Sequence, residues 1–107
     1  MTHNVDNQRV NDIVTKLFND HAVPKLICSG RLRRFGISKD NVDLEETEAA
    51  VMCDMLAAPE KTQQMYDDGK IMKHAALLIA DNVNKEKRYR AKHIATENIL
   101  YYYHADN

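Results

Sequence analysis

The chain has 107 residues, of which 44% are hydrophobic and 29% charged, and its formal net charge is -1. This length suits one domain with one core, and the apolar fraction is too high for a wholly disordered chain. The longest apolar run, residues 75–80, is far shorter than the about 20 residues that cross a membrane. A membrane-spanning protein and a membrane partner are therefore not expected.

Few segments favour β-strands, because β-branched runs and alternating apolar patterns are missing. Only three Gly and two Pro interrupt the chain, so long helices are expected. The sequence predicts an all-α fold, a compact single-domain bundle of about five helices over residues 1–107, with residues 1–4 as a loose N-terminus.

Two cysteines, Cys28 and Cys53, lie far apart without CxxC spacing, and no basic start leads into an apolar signal segment. We therefore expect a cytoplasmic protein. Cys53 sits beside an apolar stripe, which indicates a small core residue rather than a nucleophile.

Charge is unevenly distributed along the chain. Residues 1–40 carry seven basic and four acidic side chains, residues 41–69 carry one and eight, and residues 70–107 carry seven and four. Antiparallel packing would set the acidic middle against both basic flanks. Internal neutralisation is therefore favoured over a field that attracts partners.

The first predicted helix starts near Val5 and ends in the polar cluster before Pro24, with Asn4 or Asp6 as its N-cap. Apolar residues recur along it at steps of three and four, which predicts one buried stripe. The stripe contains Val10, Ile13, Val14, Leu17 and Phe18.

Pro24 suits the first turn of a short, broken helix. Between Gly30 and Gly36 the chain carries a cluster of arginines and apolar residues, Arg31, Leu32, Arg33, Arg34 and Phe35. Guanidinium groups bind phosphates and carboxylates through paired hydrogen bonds, so this cluster is a candidate contact for such groups. The favoured alternative buries Leu32 and Phe35 in the core and leaves the arginines to solvent or to the acidic segment.

Asp43 and Glu46 form a capping-box pattern that starts the next helix. Its predicted buried side is Leu44, Val51, Met52, Met55 and Leu56. Pro59 ends this helix and begins another, which is expected to stop at Gly69 or to continue through it. Methionine at helical spacing favours core packing over a partner groove, and the residues concerned are Met52, Met55, Met65 and Met72.

The central core helix is predicted after Gly69, and a turn at residues 82–84 is expected to end it. A basic helix follows, with cations in its first turns, where the helix dipole disfavours them. These are Lys85, Lys87, Arg88, Arg90 and Lys92. With Tyr89 interleaved, this segment is the best candidate for an external contact. An equally favoured alternative is a solvated helix face whose charge balances the acidic middle segment. The predicted core comprises Val10, Ile13, Leu17, Val51, Met55, Leu78, Ile79, Ile94 and Leu100.

No HExxH, CxxC or Gly-rich phosphate loop is present, and the His93–Glu97 pair offers too few ligands for zinc. The sequence predicts a protein that is not an enzyme and needs no metal or cofactor. Small helical chains of this composition occur among regulatory and accessory proteins, many of them encoded by bacteriophages.

The leading functional hypothesis is a protein-binding regulator, such as a phage-type inhibitor or adaptor. Its predicted partner-binding residues are Arg31, Arg33, Arg34, Phe35, Lys85, Lys87, Arg88, Tyr89, Arg90 and Lys92. The surplus of large side chains also predicts a homodimer, with Tyr101, Tyr102 and Tyr103 as self-association residues. The alternative is nucleic-acid or nucleotide-phosphate binding, provided that the two basic clusters meet on one surface. The isoelectric point near 6.5 ranks it second.

Overall fold

The computed structural model describes the backbone of residues 5–105 and the side chains of residues 5–88. In that range the chain forms helices without strands, as the sequence predicts, and the all-α bundle is confirmed. The five α-helices are α1 (Asn7–Asn19), α2 (Ala22–Cys28), α3 (Leu44–Ala57), α4 (Pro59–Asp67) and α5 (Ile71–Ala105). A short 3-10 turn, Arg33–Phe35, lies between α2 and α3. The predicted loose terminus, residues 1–4, lies outside the described residues.

The helix starts follow the predicted capping chemistry. An Asp6 carboxylate oxygen accepts a hydrogen bond from the Arg9 backbone N–H at 3.1 Å, and Asp43 accepts one from the Glu46 backbone N–H at 3.0 Å. Each carboxylate thereby satisfies one of the N–H groups that a helix start leaves without an internal partner. Pro59 occupies the first turn of α4, as expected.

Gly69 separates α4 from α5, so the predicted stop is confirmed and the continuous alternative is excluded. Its φ is +70°, a left-handed conformation that glycine adopts without a Cβ clash. The Gly69 N–H donates to the Tyr66 carbonyl at 3.1 Å, and the Lys70 N–H donates to the Met65 carbonyl at 2.8 Å. These bonds satisfy carbonyls at the end of α4 and turn the chain into α5.

The predicted turn at residues 82–84 is wrong, because α5 runs without interruption from Ile71 to Ala105. Asn82 does not break the helix. Its side-chain amide donates to the Leu78 carbonyl one turn back, at 2.9 Å, and to an Asp54 carboxylate oxygen on α3, at 2.8 Å. Because the helix continues, the basic residues after Asn84 lie in its middle, where the positive end of the helix dipole does not disfavour them.

Helix α3 lies at the centre of the bundle and contacts α1, α2, α4 and α5. The described core combines residues from all parts of the chain except α4: Val10, Ile13, Val14, Leu17, Val23, Ile27, Leu32, Ile37, Val51, Met52, Met55, Ala75, Ile79 and Val83. Six of the nine predicted core residues are in this set, Leu78 is half-buried, and Ile94 and Leu100 lie outside the described side chains.

Three residues expected on buried stripes are exposed: Phe18, Leu56 and Cys53. Successive residues of an α-helix are rotated by about 100°. At that rotation Phe18 and Leu56 fall at the edges of their stripes, and Cys53 falls on the far side of α3. Met72 is 40% exposed in the first turn of α5, so it is not the core residue that the sequence predicts, whereas Met65 is half-buried.

Candidate binding surface

The arginine cluster is held on a loop that two buried residues anchor. Leu32 and Ile37 are 4% and 2% exposed, and the Ile37 N–H donates to the Leu32 carbonyl at 3.2 Å. The 3-10 turn Arg33–Phe35 bridges these anchors and ends at Gly36. Burial of the two anchors places the intervening side chains on the outside of the bundle.

The side chains between the anchors are exposed. Arg31, Arg33 and Arg34 lie at the surface, and the Arg34 guanidinium carbon lies 4.8 Å from the centre of the Phe35 ring. This is within the range of a cation–π contact. The expectation that Phe35 enters the core is wrong, since it is 54% exposed, whereas the matching expectation for Leu32 is confirmed.

The arginine loop meets the basic part of α5. The Lys87 ammonium nitrogen lies 3.8 Å from the point that a Cβ atom on Gly36 would occupy. Gly36 has a φ of +76°, a left-handed backbone conformation that glycine adopts without strain. One residue of the second basic cluster therefore adjoins the first cluster. We call Arg31, Arg33, Arg34, Phe35 and Lys87 the basic surface.

The other predicted cations of α5 do not all join this surface. Lys85 is rotated by about 200° from Lys87 on the helix, so the two residues face opposite directions. Arg88 is exposed, and its Nε donates to the Asn84 carbonyl on the same helix at 3.4 Å. Sequence proximity to Lys87 therefore does not place Lys85 at the arginine loop.

The remaining six residues of the predicted contact and self-association sets have side chains outside the described part: Tyr89, Arg90, Lys92, Tyr101, Tyr102 and Tyr103. Their backbone belongs to α5.

The cations of the basic surface have no carboxylate partner among the described side chains. Within residues 5–88, Arg9 forms an ion pair with Asp67, and the His21 Nδ1 atom lies 4.0 Å from a Glu48 carboxylate oxygen. The acidic middle segment therefore pairs with a basic residue of α1 and lies near a histidine, and it does not pair with the arginine loop. Glu86 and Glu46 line the same depression between α3 and α5, which brings the acidic start of α3 beside α5.

At the opposite end of the bundle the charged side chains pair with one another, and the sequence did not predict which residues would pair. Arg9 donates to both carboxylate oxygens of Asp67, and its guanidinium carbon lies 5.9 Å from the centre of the Tyr66 ring. This hydrogen-bonded carboxylate raises the pKa of Arg9. Nearby, the Asp6 backbone N–H donates to the Gln63 side chain at 3.2 Å. The contacting residues are more than 50 positions apart, so no local pattern could reveal them.

The burial of two titratable side chains was also not predicted from the sequence. Glu48 is 7% exposed, although its place in an acidic run suggests a solvated residue. His74 is half-buried, and burial together with the nearby Lys61 lowers its pKa. Cys28 and Cys53 are exposed free thiols. Within residues 5–88, no group of three His, Cys, Asp or Glu side chains is arranged to hold a metal ion.

Comparison with protein-family models, with curated proteins and with solved structures found no match to this chain. No described helix is both long enough and apolar enough to cross a membrane.

Proposed function

We propose that this chain is a small non-enzymatic binding protein that holds an acidic segment of another protein on the basic surface, and so acts as a regulator or adaptor. The contact between Lys87 and Gly36 carries the proposal, because it joins cations from two distant parts of the chain. These cations are exposed and have no internal carboxylate partner among the described side chains.

The composition of the surface favours a protein partner. Arginine and aromatic side chains are enriched among the residues that contribute most to protein–protein affinity. Phe35, 54% exposed beside Arg34, offers an apolar contact next to the cations. An acidic segment with one apolar residue would satisfy both kinds of group.

Nucleic-acid binding is the second candidate, and the meeting of the two basic clusters favours it too. Phosphate backbones are bound by many cations at once, and Phe35 could stack on a base. The described surface holds four cations, and the whole chain has a net charge of -1. This balance supports a short acidic protein segment over a nucleic acid, which dedicated binders contact with a basic domain.

Exposed free thiols at Cys28 and Cys53 support a reducing compartment, and we propose that the protein acts in the cytoplasm. Self-association through Tyr101, Tyr102 and Tyr103 stays a prediction. Light scattering at high protein concentration would test it, and a strict monomer would contradict it.

The test of the basic surface uses two labelled probes of equal charge, an acidic peptide with one leucine and a single-stranded oligonucleotide. Anisotropy titrations compare the parent chain with the double variant Arg33→Ala/Lys87→Ala, which removes one cation from each segment. We expect the parent to bind the peptide more tightly than the oligonucleotide. The double variant should bind about tenfold or more weakly, since hydrogen bonds between charged groups contribute about 1.5 to 3 kcal/mol each.

The matched control is Lys16→Ala/Lys73→Ala, which removes the same charge from exposed positions on α1 and α5. It should leave peptide affinity within about twofold, because those lysines lie outside the basic surface. Tighter binding of the oligonucleotide would instead support the second candidate. Equal losses in both variants would show that net charge, rather than this surface, governs binding.

A further inference from the structure

A partly apolar depression lies between α2 and the start of α5. Its volume is about 390 Å³, and its lining includes the apolar side chains of Ala22, Leu26 and Met72 and the cations Lys25 and Arg31. Ala22 and Leu26 are half-buried against the core, whereas Met72 is 40% exposed. An apolar side chain placed in this depression would cover apolar surface that the bundle leaves in contact with water.

Arg31 connects this depression to the basic surface, because it belongs to both. Its backbone N–H donates to the Ser29 hydroxyl oxygen at 3.3 Å, and that hydroxyl donates to the Leu26 carbonyl at 2.6 Å. These two bonds hold the start of the arginine loop against the end of α2. The depression and the basic surface therefore adjoin one another at Arg31.

Helix α5 gives the length of the combined surface. Met72 lies beside the depression and Lys87 beside the arginine loop, and the about 15 positions between them correspond to about 22 Å along a helix. At about 100° per residue the two positions differ by only about 60° around the axis, so both lie on the side of α5 that α2 and the arginine loop contact. We call the basic surface, together with Lys25, Leu26 and Met72, the extended surface.

Cations outnumber carboxylates along the extended surface. Lys25 and Arg31 line the depression, and Asp20 is the one carboxylate among its described lining residues. None of these three side chains forms an ion pair within residues 5–88. A partner segment with an excess of negative charge complements this surface, and such a segment stays extended because its like charges repel one another.

We propose that the acidic segment of the partner binds in an extended conformation along the whole extended surface, with a second apolar side chain seated between Leu26 and Met72. An extended chain advances about 3.3 Å per residue, so about seven residues cover the distance from this depression to Phe35 beside the other end. Methionine adapts to apolar side chains of different shapes. The inference rests on the proposed function, and it adds the length and the apolar spacing of the segment.

A peptide series tests the spacing with the parent chain. Each peptide keeps the acidic residues and the leucine of the first probe, and adds a second leucine about two, about four or about seven positions away. Anisotropy should show about fivefold or more tighter binding at the spacing of about seven than for the single-leucine peptide, because one more apolar side chain leaves water. The shorter spacings should gain less than about twofold, since about four residues span at most about 14 Å.

Met72→Ala and Leu77→Ala form a matched pair for a second test. Both residues are exposed apolar side chains of α5, at 40% and 61%, but Leu77 is rotated by about 140° from Met72. Met72→Ala should remove most of the gain from the second leucine, and Leu77→Ala should keep it within about twofold. Equal losses of this gain in the two variants would overturn the inference.

The single-leucine peptide separates this inference from the proposed function. If it does not bind the parent chain, or binds Arg33→Ala/Lys87→Ala as tightly as the parent, the proposed function is wrong and the extended surface is wrong with it. If it binds as expected and the second leucine gives no gain, or the same gain at every spacing, only the extended surface is wrong. A gain that disappears as the protein concentration rises would assign the depression to a second copy of this chain, and would also overturn the inference.

Discussion

The two ends of this bundle use charged side chains in different ways. At the closed end, Asp6 and Arg9 at the start of α1 bond to Gln63 and Asp67 of α4, and the Thr62 hydroxyl of α4 donates to the Met55 carbonyl of α3. At the open end, the basic surface adjoins α5 at Lys87, about 24 Å along that helix from its start, and its cations have no carboxylate partner among the described residues.

The difference shows that a chain with basic and acidic segments does not pair all of its cations with its own carboxylates. Arg9 finds Asp67 because α1 and α4 pack together. The arginine loop is turned outward because Leu32 and Ile37, on either side of it, enter the core. The position of apolar anchors, rather than charge attraction, decides which cations stay available to a partner.

The largest expected difference in stability between the ends comes from Thr62→Val compared with Phe35→Ala. Thr62 is fully buried, and its hydroxyl lies 2.8 Å from the Met55 carbonyl and 3.0 Å from the Ala58 carbonyl. Losing this donor should lower the free energy of unfolding by about 1 kcal/mol.

Phe35→Ala serves as the comparison at the open end, where the ring is 54% exposed. It should change the free energy of unfolding by less than about 0.5 kcal/mol. It should also lower the affinity for the acidic peptide. Urea unfolding of both variants measures the contrast. A greater loss of stability in Phe35→Ala than in Thr62→Val would contradict the division into a closed and an open end.

A smaller effect is expected from the matched pair Arg9→Ala and Arg33→Ala. Each variant removes one exposed arginine, but only Arg9 has an ion partner in the described structure. Arg9→Ala should lower Tm slightly, and the loss should shrink in high salt, because salt screens an exposed ion pair. Arg33→Ala should have the Tm of the parent chain at both low and high salt. Thermal unfolding at low and high salt checks both, and equal Tm losses would remove the distinction between paired and open arginines.

The smallest effect concerns pH and His74, which faces Lys61 near the closed end. Burial and Lys61 lower the pKa of His74, so the folded state binds a proton less readily than the unfolded chain. Stability should therefore fall as the pH drops below about 6.5. His74→Gln should lessen this fall between about pH 7.5 and about pH 5. An identical pH dependence of Tm in the parent and in this variant would show that His74 does not contribute.

Local patterns predicted much of the helical framework. The capping residues Asp6 and Asp43, the stop at Gly69 and the buried stripe of α1 depend on contacts within a few residues, which the sequence displays directly. The Asn-rich turn at residues 82–84 was predicted wrongly because Asn82 bonds to Asp54, a partner 28 positions away.

The sequence by itself determined the all-α class, most helix boundaries and the existence of two basic clusters, because these follow from periodicity, caps and composition. Only the tertiary structure decided that Lys87 reaches Gly36 while Lys85 faces away, that Arg9 pairs with Asp67, and that Glu48 is buried beside His21. Each of these depends on which helix faces are brought together by core packing, and the energy of that packing is shared among residues far apart in the chain.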